Sequence, residues 1–522
     1  MKKFFGQWKW VILGGLGILL FALLIRLYHL TLIPVFVDEA IYIRWAQVMG
    51  AEPTLRFLPL SDGKQPLFMW VLMFYVRRLS DPLFAGRILS VVSGLGTTIG
   101  IFAVSYILFR PSREASARQV RIMALIAALF WAISPFSFFF DRMALVDSML
   151  ANFGVWTMFF AILTSKTRRL DMAMITGFFL GCALLTKSPA IFILLLIPTT
   201  WIFVESRKEV FKLIPLLVVT YLIGYGMYNI LRLGPNFHLI SSRNADYVLP
   251  ISHLWTNFKD PFIFHVEEVF KDWFIKMGPW PILILGAIGV VTSFKKYWKE
   301  KLFLLGWFFF PLLVQSEYAR VFTVRYLLYF MPPFFILAAS SFLCRKKICI
   351  ILNSLFIILF LSISLFFDWR ILTNPSLANL PNSERSGYLE EWTAGDGIKE
   401  IADYLKDQRS KIKDQKIVVG TEGFFGTLPD GLQMYLNDVP QITVIGTGLD
   451  FKDAPQSLIE SKKFGNKTYF VVNKSRFFGD ADKLGLELVA AYPKALRINE
   501  ESREFKLKGP QEVLYFFELS NL

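Results

Sequence analysis

Long apolar runs fill the first 367 residues of the chain and restrict its fold more than any other feature. A helix that crosses the hydrocarbon core of a bilayer needs about 20 consecutive apolar residues. Eleven runs approach or reach this length, at 10–30, 88–109, 122–140, 148–165, 172–186, 188–204, 213–231, 277–294, 302–316, 326–344 and 348–367. Two of them, 172–186 and 302–316, need flanking residues to complete a span. The sequence therefore predicts a polytopic α-helical membrane protein with about 11 transmembrane helices.

The distribution of positive charge gives this protein a predicted orientation. The net charge is +15, and most of the clustered basic residues lie in short segments beside the runs, at 2–9, 110–121, 166–169, 207–212, 295–301 and 345–347. With eleven spans, all six segments fall on one side, which the positive-inside rule makes cytoplasmic. The charge thus reflects topology, and no nucleic-acid partner is predicted. We expect an uncleaved first span and a cytoplasmic N-terminus in the inner or plasma membrane.

Three regions remain on the outer side: a first loop at 31–87, a loop at 232–276, and everything after residue 367. The apolar run at 66–76 has only 11 residues, and if it crossed, the basic segment at 110–121 would face outward. We therefore predict that it forms a helix lying in the membrane interface. Because the inner loops are short, function is expected on the outer face.

The first outer loop carries acidic and basic residues close to the membrane. Asp38 and Glu39 follow the first run and open a helical pattern, so Asp38 is a candidate for a helix cap, a general base or a metal ligand. Lys64 precedes the interfacial run, at a helix end that favours anions. Either a bound phosphate or contact with lipid headgroups explains a lysine at that position.

Acidic residues lie between the runs at 122–140 and 148–165. Asp141 and Arg142 occupy the connection and Asp147 lies just before the next run. Charges at this depth are costly unless they face each other or a water-filled cavity. Asp141 and Arg142 can simply mark the boundary, whereas Asp147 is a candidate functional acid.

Basic residues also occur on the predicted outer face, where the positive-inside rule expects few of them. Lys187 separates the runs at 172–186 and 188–204, and Arg320 and Arg325 precede the run at 326–344. One such residue can extend to the headgroups, but three on one face indicate a ligand with a lipid phosphate or diphosphate. In the loop at 232–276, His265, Glu267 and Glu268 are candidates for contacting an acceptor or holding a divalent metal.

The sequence after residue 367 has the composition of a soluble domain. Strand-like runs at 416–420, 442–445, 469–472, 486–491 and 513–517 alternate, in their first part, with helical patterns at 397–408, 428–436 and 457–463. This pattern predicts an α/β domain with a partly parallel sheet, placed outside by the number of spans. The glycine-rich segment 421–431 is either a contact for an acceptor or a capped turn. The predicted domains are thus 1–367, transmembrane, and 368–522, extracytoplasmic α/β.

Five motifs, in their order along about residues 8–345, resemble the protein O-mannosyltransferase and lipid A aminoarabinose transferase superfamily. They are Asp38-Glu39 after the first run, Lys64 with Pro66-Leu67, Arg142 with Leu145 and Asp147, Thr186-Lys187, and Arg325-Tyr326-Leu327 followed by Pro332-Pro333. The resemblance implies the GT-C fold and glycosyl transfer from a polyprenyl-phosphate sugar to a protein, glycolipid or cell-wall polymer. It implies no certain cofactor and leaves a divalent metal open.

The resemblance also implies roles for individual residues. It assigns the general base to Asp38 with Glu39 as its companion, a second functional acid to Asp147, and the donor phosphate to Lys64, Lys187 and Arg325. Glu267 and Glu268 fall where related enzymes carry an acid or an acid–histidine pair. Two departures argue against lipid A as acceptor and weaken a metal site: Gly63 replaces a glutamate, and Glu268 replaces a histidine.

Three other functions are compatible with the sequence. A flippase or transporter of lipid-linked sugar explains many spans, but it predicts an inverted repeat and broken helices at the membrane midplane. The sequence has no obvious repeat, and its ionisable residues lie at the outer ends of the runs and not at their middles. An oligosaccharide ligase or polymerase that uses a diphosphate lipid shares most of the features. A non-catalytic assembly protein of the same fold is a further alternative, and it would tolerate loss of Asp38.

Overall fold

A computed structural model describes residues 2–109, 111, 116–278, 280–412 and 415–520. Arg110 and Arg113, which belong to the second basic segment, lie outside the described residues. All eleven predicted runs overlap helices of the structure. The α-helices are Lys2–Leu27, Val37–Ala51, Leu67–Val76, Pro82–Leu108, Ala117–Ile133, Pro135–Phe140, Val146–Thr167, Leu170–Thr186, Ala190–Leu196, Arg207–Tyr228, Leu239–Tyr247, His253–Thr256, Phe262–Glu267, Phe274–Lys276, Pro281–Val291, Phe294–Tyr318, Met331–Ala339, Lys347–Thr373, Asn382–Arg385, Ile398–Lys411, Asp430–Leu436, Gln456–Lys463 and Arg503–Lys508.

The structure does not confirm the predicted number of spans. Within the described part of the chain, five helices are long and apolar enough to cross a bilayer, or six if the bent pair Phe262–Lys276 and Pro281–Val291 is one span. Shorter apolar helices include Leu67–Val76, Leu170–Thr186, Ala190–Phe203 and Met331–Leu343. Proline is one cause of the shorter segments, because it lacks the N–H that continues a helix: Pro135 and Pro281 each open a new helix.

Contacts divide the chain into two compact units. The first contains Met1–His29, Thr54–Trp70 and Arg87–Pro381, and the second contains Leu30–Pro53, Val71–Gly86 and Asn382–Leu522. The second unit thus combines the C-terminal region with parts of the predicted first loop. The predicted boundary after residue 367 falls inside the helix Lys347–Thr373.

Buried charges in the first unit neutralise one another. The guanidinium of Arg26 lies 3.0 Å from Asp141 Oδ2, and both side chains are fully buried. Arg142 closes the end of the first helix by donating to the backbone carbonyls of residues 25, 26, 28 and 29 over 2.8–3.0 Å. Asp141 and Arg142 therefore stabilise the packing of these helices, as expected for charges that face each other.

We expect Arg26→Met to destabilise the first unit strongly. Removing one partner of a buried ion pair leaves the other charge uncompensated, at a cost of about 3–5 kcal/mol. The apparent Tm of the purified protein in detergent should therefore fall clearly. The exposed Arg118 provides a matched control, since Arg118→Met should leave the Tm unchanged. Equal Tm values for both variants would contradict a stabilising role of the Arg26–Asp141 pair.

The C-terminal part of the second unit contains a five-stranded sheet. Its strands are β1 (Ile417–Glu422), β2 (Ile442–Gly448), β3 (Lys467–Asn473), β4 (Leu486–Pro493) and β5 (Val513–Leu519), in the order β2-β1-β3-β5-β4. Strands β2, β1 and β3 are parallel, whereas β5 is antiparallel to both β3 and β4. The helices Asp430–Leu436 and Gln456–Lys463 connect the parallel strands. The predicted α/β architecture with a partly parallel sheet is confirmed.

Candidate functional site

A lysine and a buried aspartate form an ion pair in the first unit. Lys187 follows the helix Leu170–Thr186 directly, and Asp147 lies in the first turn of Val146–Thr167. The distance from Lys187 Nζ to Asp147 Oδ1 is 2.7 Å, and the exposed fractions of the two side chains are 20% and 3%. Asp147 Oδ2 is buried and makes no hydrogen bond to any described residue. Asp147 thus holds a partly accessible ammonium group.

Arg325 is a second cation near Lys187, and both contact the ring of Tyr326. Lys187 Nζ lies 4.2 Å from the ring centroid of Tyr326, and the guanidinium carbon of Arg325 lies 5.6 Å from that centroid. Both arrangements fall within the range of cation–π contacts. Lys187 and Arg325 are thus gathered around Tyr326 with one buried carboxylate beside them, an arrangement suited to binding an anion.

Lys64 is positioned by a tight turn and an acidic neighbour. The 3-10 helix Leu58–Asp62 ends at Gly63, and Lys64 Nζ lies 3.3 Å from Asp62 Oδ2. The other oxygen of Asp62 accepts a hydrogen bond of 2.6 Å from Arg243. The buried Gln65 donates to Ser188 Oγ over 2.8 Å. This bond joins the chain next to Lys64 to the chain next to Lys187, so the structure brings these two predicted phosphate-binding segments together.

The conformation and surroundings of Gly63 exclude a side chain at this position. Gly63 has a φ of +67°, and a Cβ atom would lie 2.7 Å from the Cβ atom of Arg243 and 2.8 Å from the carbonyl oxygen of Leu239. L-residues rarely adopt this φ, and the surrounding atoms leave no room for a side chain. The glutamate found before the lysine in the aminoarabinose transferases therefore does not fit this turn.

We expect Gly63→Ala to displace the turn that carries Lys64. The new methyl group meets the stem of Arg243, so the Asp62–Arg243 pair must move. Strain of this kind costs on the order of 1–3 kcal/mol, and binding of a lipid phosphate should weaken with it. Titration of a fluorescent polyprenyl phosphate would measure this change. Gly306, whose Cβ position is open, supplies the control Gly306→Ala, and equal affinities would contradict the predicted displacement.

The structure does not assemble the predicted metal ligands. His265 is buried, with Nδ1 2.9 Å from the carbonyl oxygen of Ser316, whereas Glu267 is exposed and pairs with Lys271 at 2.8 Å. Glu268 opens a π-helical turn, Glu268–Trp273. The described residues contain no group of three or more His, Cys, Asp or Glu side chains that could hold a metal. His265 lies on the buried face of its helix, whereas Glu267 lies on the solvent face.

Arg320 differs from Arg325 in its surroundings. Its side chain is exposed, and its backbone N–H donates to the carbonyl oxygen of Tyr247 over 2.8 Å. An adjacent antiparallel bridge joins Val248 to Ala319. The observed contact of Arg320 is thus made by its backbone, whereas Arg325 is drawn into the group around Tyr326.

In the second unit, the two acids of the first loop have different surroundings. The helix Val37–Ala51, the first-loop helix, begins one residue before Asp38. Glu39 is fully buried, and its carboxylate accepts a hydrogen bond of 3.0 Å from the backbone N–H of Phe36. The capping interaction considered for Asp38 is thus made by Glu39, as in the reciprocal half of a capping box. Asp38 is half-buried in the first helical turn.

Asp62, Arg243 and the Gln65–Ser188 bond are parts of the site that sequence reasoning missed. Arg243 lies in a predicted outer loop, where the positive-inside rule expects few basic residues, and this exception is the sequence feature that indicates it. Its partner Asp62 is 181 residues away along the chain. No pattern in one sequence specifies a pairing over that separation.

Comparison with known proteins agrees with this architecture. The family model described as dolichyl-phosphate-mannose-protein mannosyltransferase matches residues 63–229. The crystal structure of ArnT from Cupriavidus metallidurans bound to undecaprenyl phosphate shares 16% identity, covers 99% of each chain and has a TM-score of 0.53. The apo structure of the same protein shares 15% identity, covers 97% of this chain and 98% of that one, and has a TM-score of 0.51. No curated protein matches the chain significantly.

The structural matches show the fold. The chain has the GT-C fold of these solved membrane proteins, which is the fold predicted from its motifs. The segment matched by the mannosyltransferase model contains Lys64, Asp147 and Lys187. Three residues of the group described above therefore lie within the matched segment.

Proposed function

We propose that this protein transfers a sugar, a hexose or a pentose, from a polyprenyl-phosphate lipid to an acceptor hydroxyl on the outer face of the cytoplasmic membrane. The observation that carries the proposal is the grouping of Lys187 and Arg325 around Tyr326, with Asp147 beneath. Such a site suits a phosphate ester at a membrane surface. The ArnT structure with a comparable fold was solved with undecaprenyl phosphate bound, which supports a donor of this class.

The residues of the site favour departure of the phosphate. When the glycosidic bond breaks, negative charge grows on the leaving phosphate oxygens, and prearranged cations stabilise that charge more than they stabilise the intact donor. Lys187 and Arg325 supply two of these cations, and Lys64 is joined to them through the Gln65–Ser188 bond. Asp147 orients Lys187 and limits the positive charge of the site before the donor binds.

The acceptor hydroxyl needs a base, and Asp38 is the proposed one. Asp38 is half-buried in the first helical turn, and a carboxylate within hydrogen-bond reach of the acceptor hydroxyl can take its proton as the bond to the anomeric carbon forms. The carboxylate of Glu39 caps the same helix by accepting from the backbone N–H of Phe36, and so helps to hold the helical turn that carries Asp38. Attack by the hydroxyl on the anomeric carbon as the phosphate leaves would invert the configuration of that carbon.

Reconstitution with defined lipids tests the proposal. Purified protein in liposomes would receive radiolabelled monosaccharides on undecaprenyl or dolichyl phosphate, together with membrane extracts as acceptors. We expect label to appear in protein, glycolipid or cell-wall polymer, depending on the acceptor. Movement of lipid-linked sugar across the bilayer without transfer would instead establish a flippase. Transfer only from diphosphate-linked oligosaccharides would establish a ligase or polymerase.

A further inference from the structure

The C-terminal region of the second unit supports the helix that carries Asp38. The backbone N–H of Val37 donates to the carbonyl oxygen of Thr393 over 3.1 Å, and Phe36 forms an antiparallel bridge with Ala394. The rings of Phe36 and Tyr388 lie 4.2 Å apart. The segment 391–394, here called the 391–394 turn, therefore contacts the chain immediately before Asp38.

The middle and second half of the first-loop helix are held by the same unit. Gln47 donates to the carbonyl oxygen of Met434 over 2.8 Å, and Arg44 donates to Asn437 Oδ1 over 2.7 Å. Both partners lie in or directly after the helix Asp430–Leu436. The C-terminal region thus contacts the first-loop helix at its first residue and again at Arg44 and Gln47, whose partners lie 393 and 387 positions later in the chain.

The buried Lys494 holds the backbone of the 391–394 turn. Lys494 is 3% exposed, and its Nζ donates to the carbonyl oxygens of Glu391 and Ala394 over 2.9 Å and 2.7 Å. The Glu391 carboxylate is held at the same time by Arg497 at 2.6 Å and by Lys508 at 2.9 Å. A buried ammonium that binds backbone carbonyls costs desolvation, and it restricts the turn to one conformation.

The surroundings keep this lysine charged at neutral pH. Burial lowers the pKa of Lys494 to about 8, while the carboxylates of Asp396, Glu422, Glu512 and Glu391 act to raise it. Most of the population therefore carries the proton and can donate to both carbonyls.

We propose that Lys494 is a positioning residue for Asp38. Its ammonium holds the 391–394 turn in the conformation that receives the Val37 N–H, and thereby sets the direction of the first helical turn. The proposal rests on the proposed function in that Asp38 is taken as the base. A displacement of about 1 Å at a reacting group can cost on the order of 100-fold in rate, so a remote lysine can have a large effect.

Two variants break this connection at different points. Lys494→Met removes the ammonium and keeps the length of the side chain. Val37→Pro removes only the last hydrogen bond, because proline is tolerated in the first turn of a helix and Phe36 already has the extended backbone that must precede proline (φ −92°, ψ 154°). Lys467→Met, at the start of β3, and Val37→Ala, which retains the N–H, are the matched controls.

The test combines hydrogen exchange with transfer kinetics on the full-length protein. We expect both variants to speed amide exchange in a peptide covering residues 37–46, to lower kcat by about 10- to 100-fold, and to leave KM for the polyprenyl-phosphate donor unchanged. Neither control should do so. Unchanged exchange, or faster exchange at unchanged kcat, would overturn the proposal. If the wild-type protein transfers no sugar, the proposed function fails, while the exchange measurement still decides whether Lys494 fixes the helix.

Discussion

Replacing Lys187 by methionine should lower the rate of sugar transfer by about 100- to 1,000-fold, the loss typical of removing one preorganised group that stabilises transition-state charge. The effect should exceed that of removing an ordinary surface cation, because Lys187 is largely buried and its partner Asp147 has an exposed fraction of only 3%. After the substitution, Asp147 is left beside the incoming phosphate with no ammonium to offset it. Donor affinity should fall with the rate, and competition by unlabelled polyprenyl phosphate would measure it.

A second substitution distinguishes the effect of losing the Lys187 ammonium from the effect of leaving the Asp147 carboxylate unpaired. Asp147→Asn removes that carboxylate. We expect the double variant to bind the donor better than Lys187→Met alone, because the effects of substitutions at residues in contact are not additive. Lys166→Met serves as control, since Lys166 lies at the other end of the helix that begins next to Asp147. Transfer by Lys187→Met at the rate of the Lys166 control would exclude Lys187 from phosphate stabilisation.

The apolar pattern of the sequence was sufficient to predict a helical membrane protein, whereas the GT-C fold was implied by the resemblance of its motifs. Hydrophobic runs and turn residues act locally, so all eleven runs overlap helices, and the strands of the C-terminal sheet lie where the β-type runs predicted them. The number of spans was less predictable. Each helix's length and direction depend on packing against other helices, and breaks such as Pro281 divide a run without changing its average hydropathy.

In the candidate site too, local sequence was enough to recognise the charged residues, but not the contacts that they make. Lys64, Asp147, Lys187 and Arg325 were recognisable because charges beside apolar runs are expensive and require a reason. Their partners were not recognisable. The approach of Tyr326 to Lys187 depends on tertiary packing, as does the exclusion of a side chain at Gly63 by Arg243. His265 and Glu267 show the converse, because their proximity in sequence suggested ligands that the helix directs apart.

Replacing Asp38 by asparagine should abolish most sugar transfer while leaving the donor bound. General-base catalysis contributes about 100- to 10,000-fold, and asparagine keeps the size of the side chain but cannot accept the acceptor's proton. The donor should bind as before, since the cations assigned to its phosphate are Lys64, Lys187 and Arg325. Radiolabelled transfer and donor binding would be measured on the same preparations at matched expression.

The exposed Glu52, at the other end of the first-loop helix, supplies the control, since Glu52→Gln removes a carboxylate of similar charge away from the reaction. Loss of transfer in Asp38→Asn but not in Glu52→Gln, with donor binding retained in both, assigns proton removal to Asp38. Equal transfer by Asp38→Asn and the wild type would remove Asp38 from the mechanism. The base would then have to be sought among the other acids, and Asp147 would be a poor candidate because its Oδ1 is already held by Lys187 Nζ at 2.7 Å.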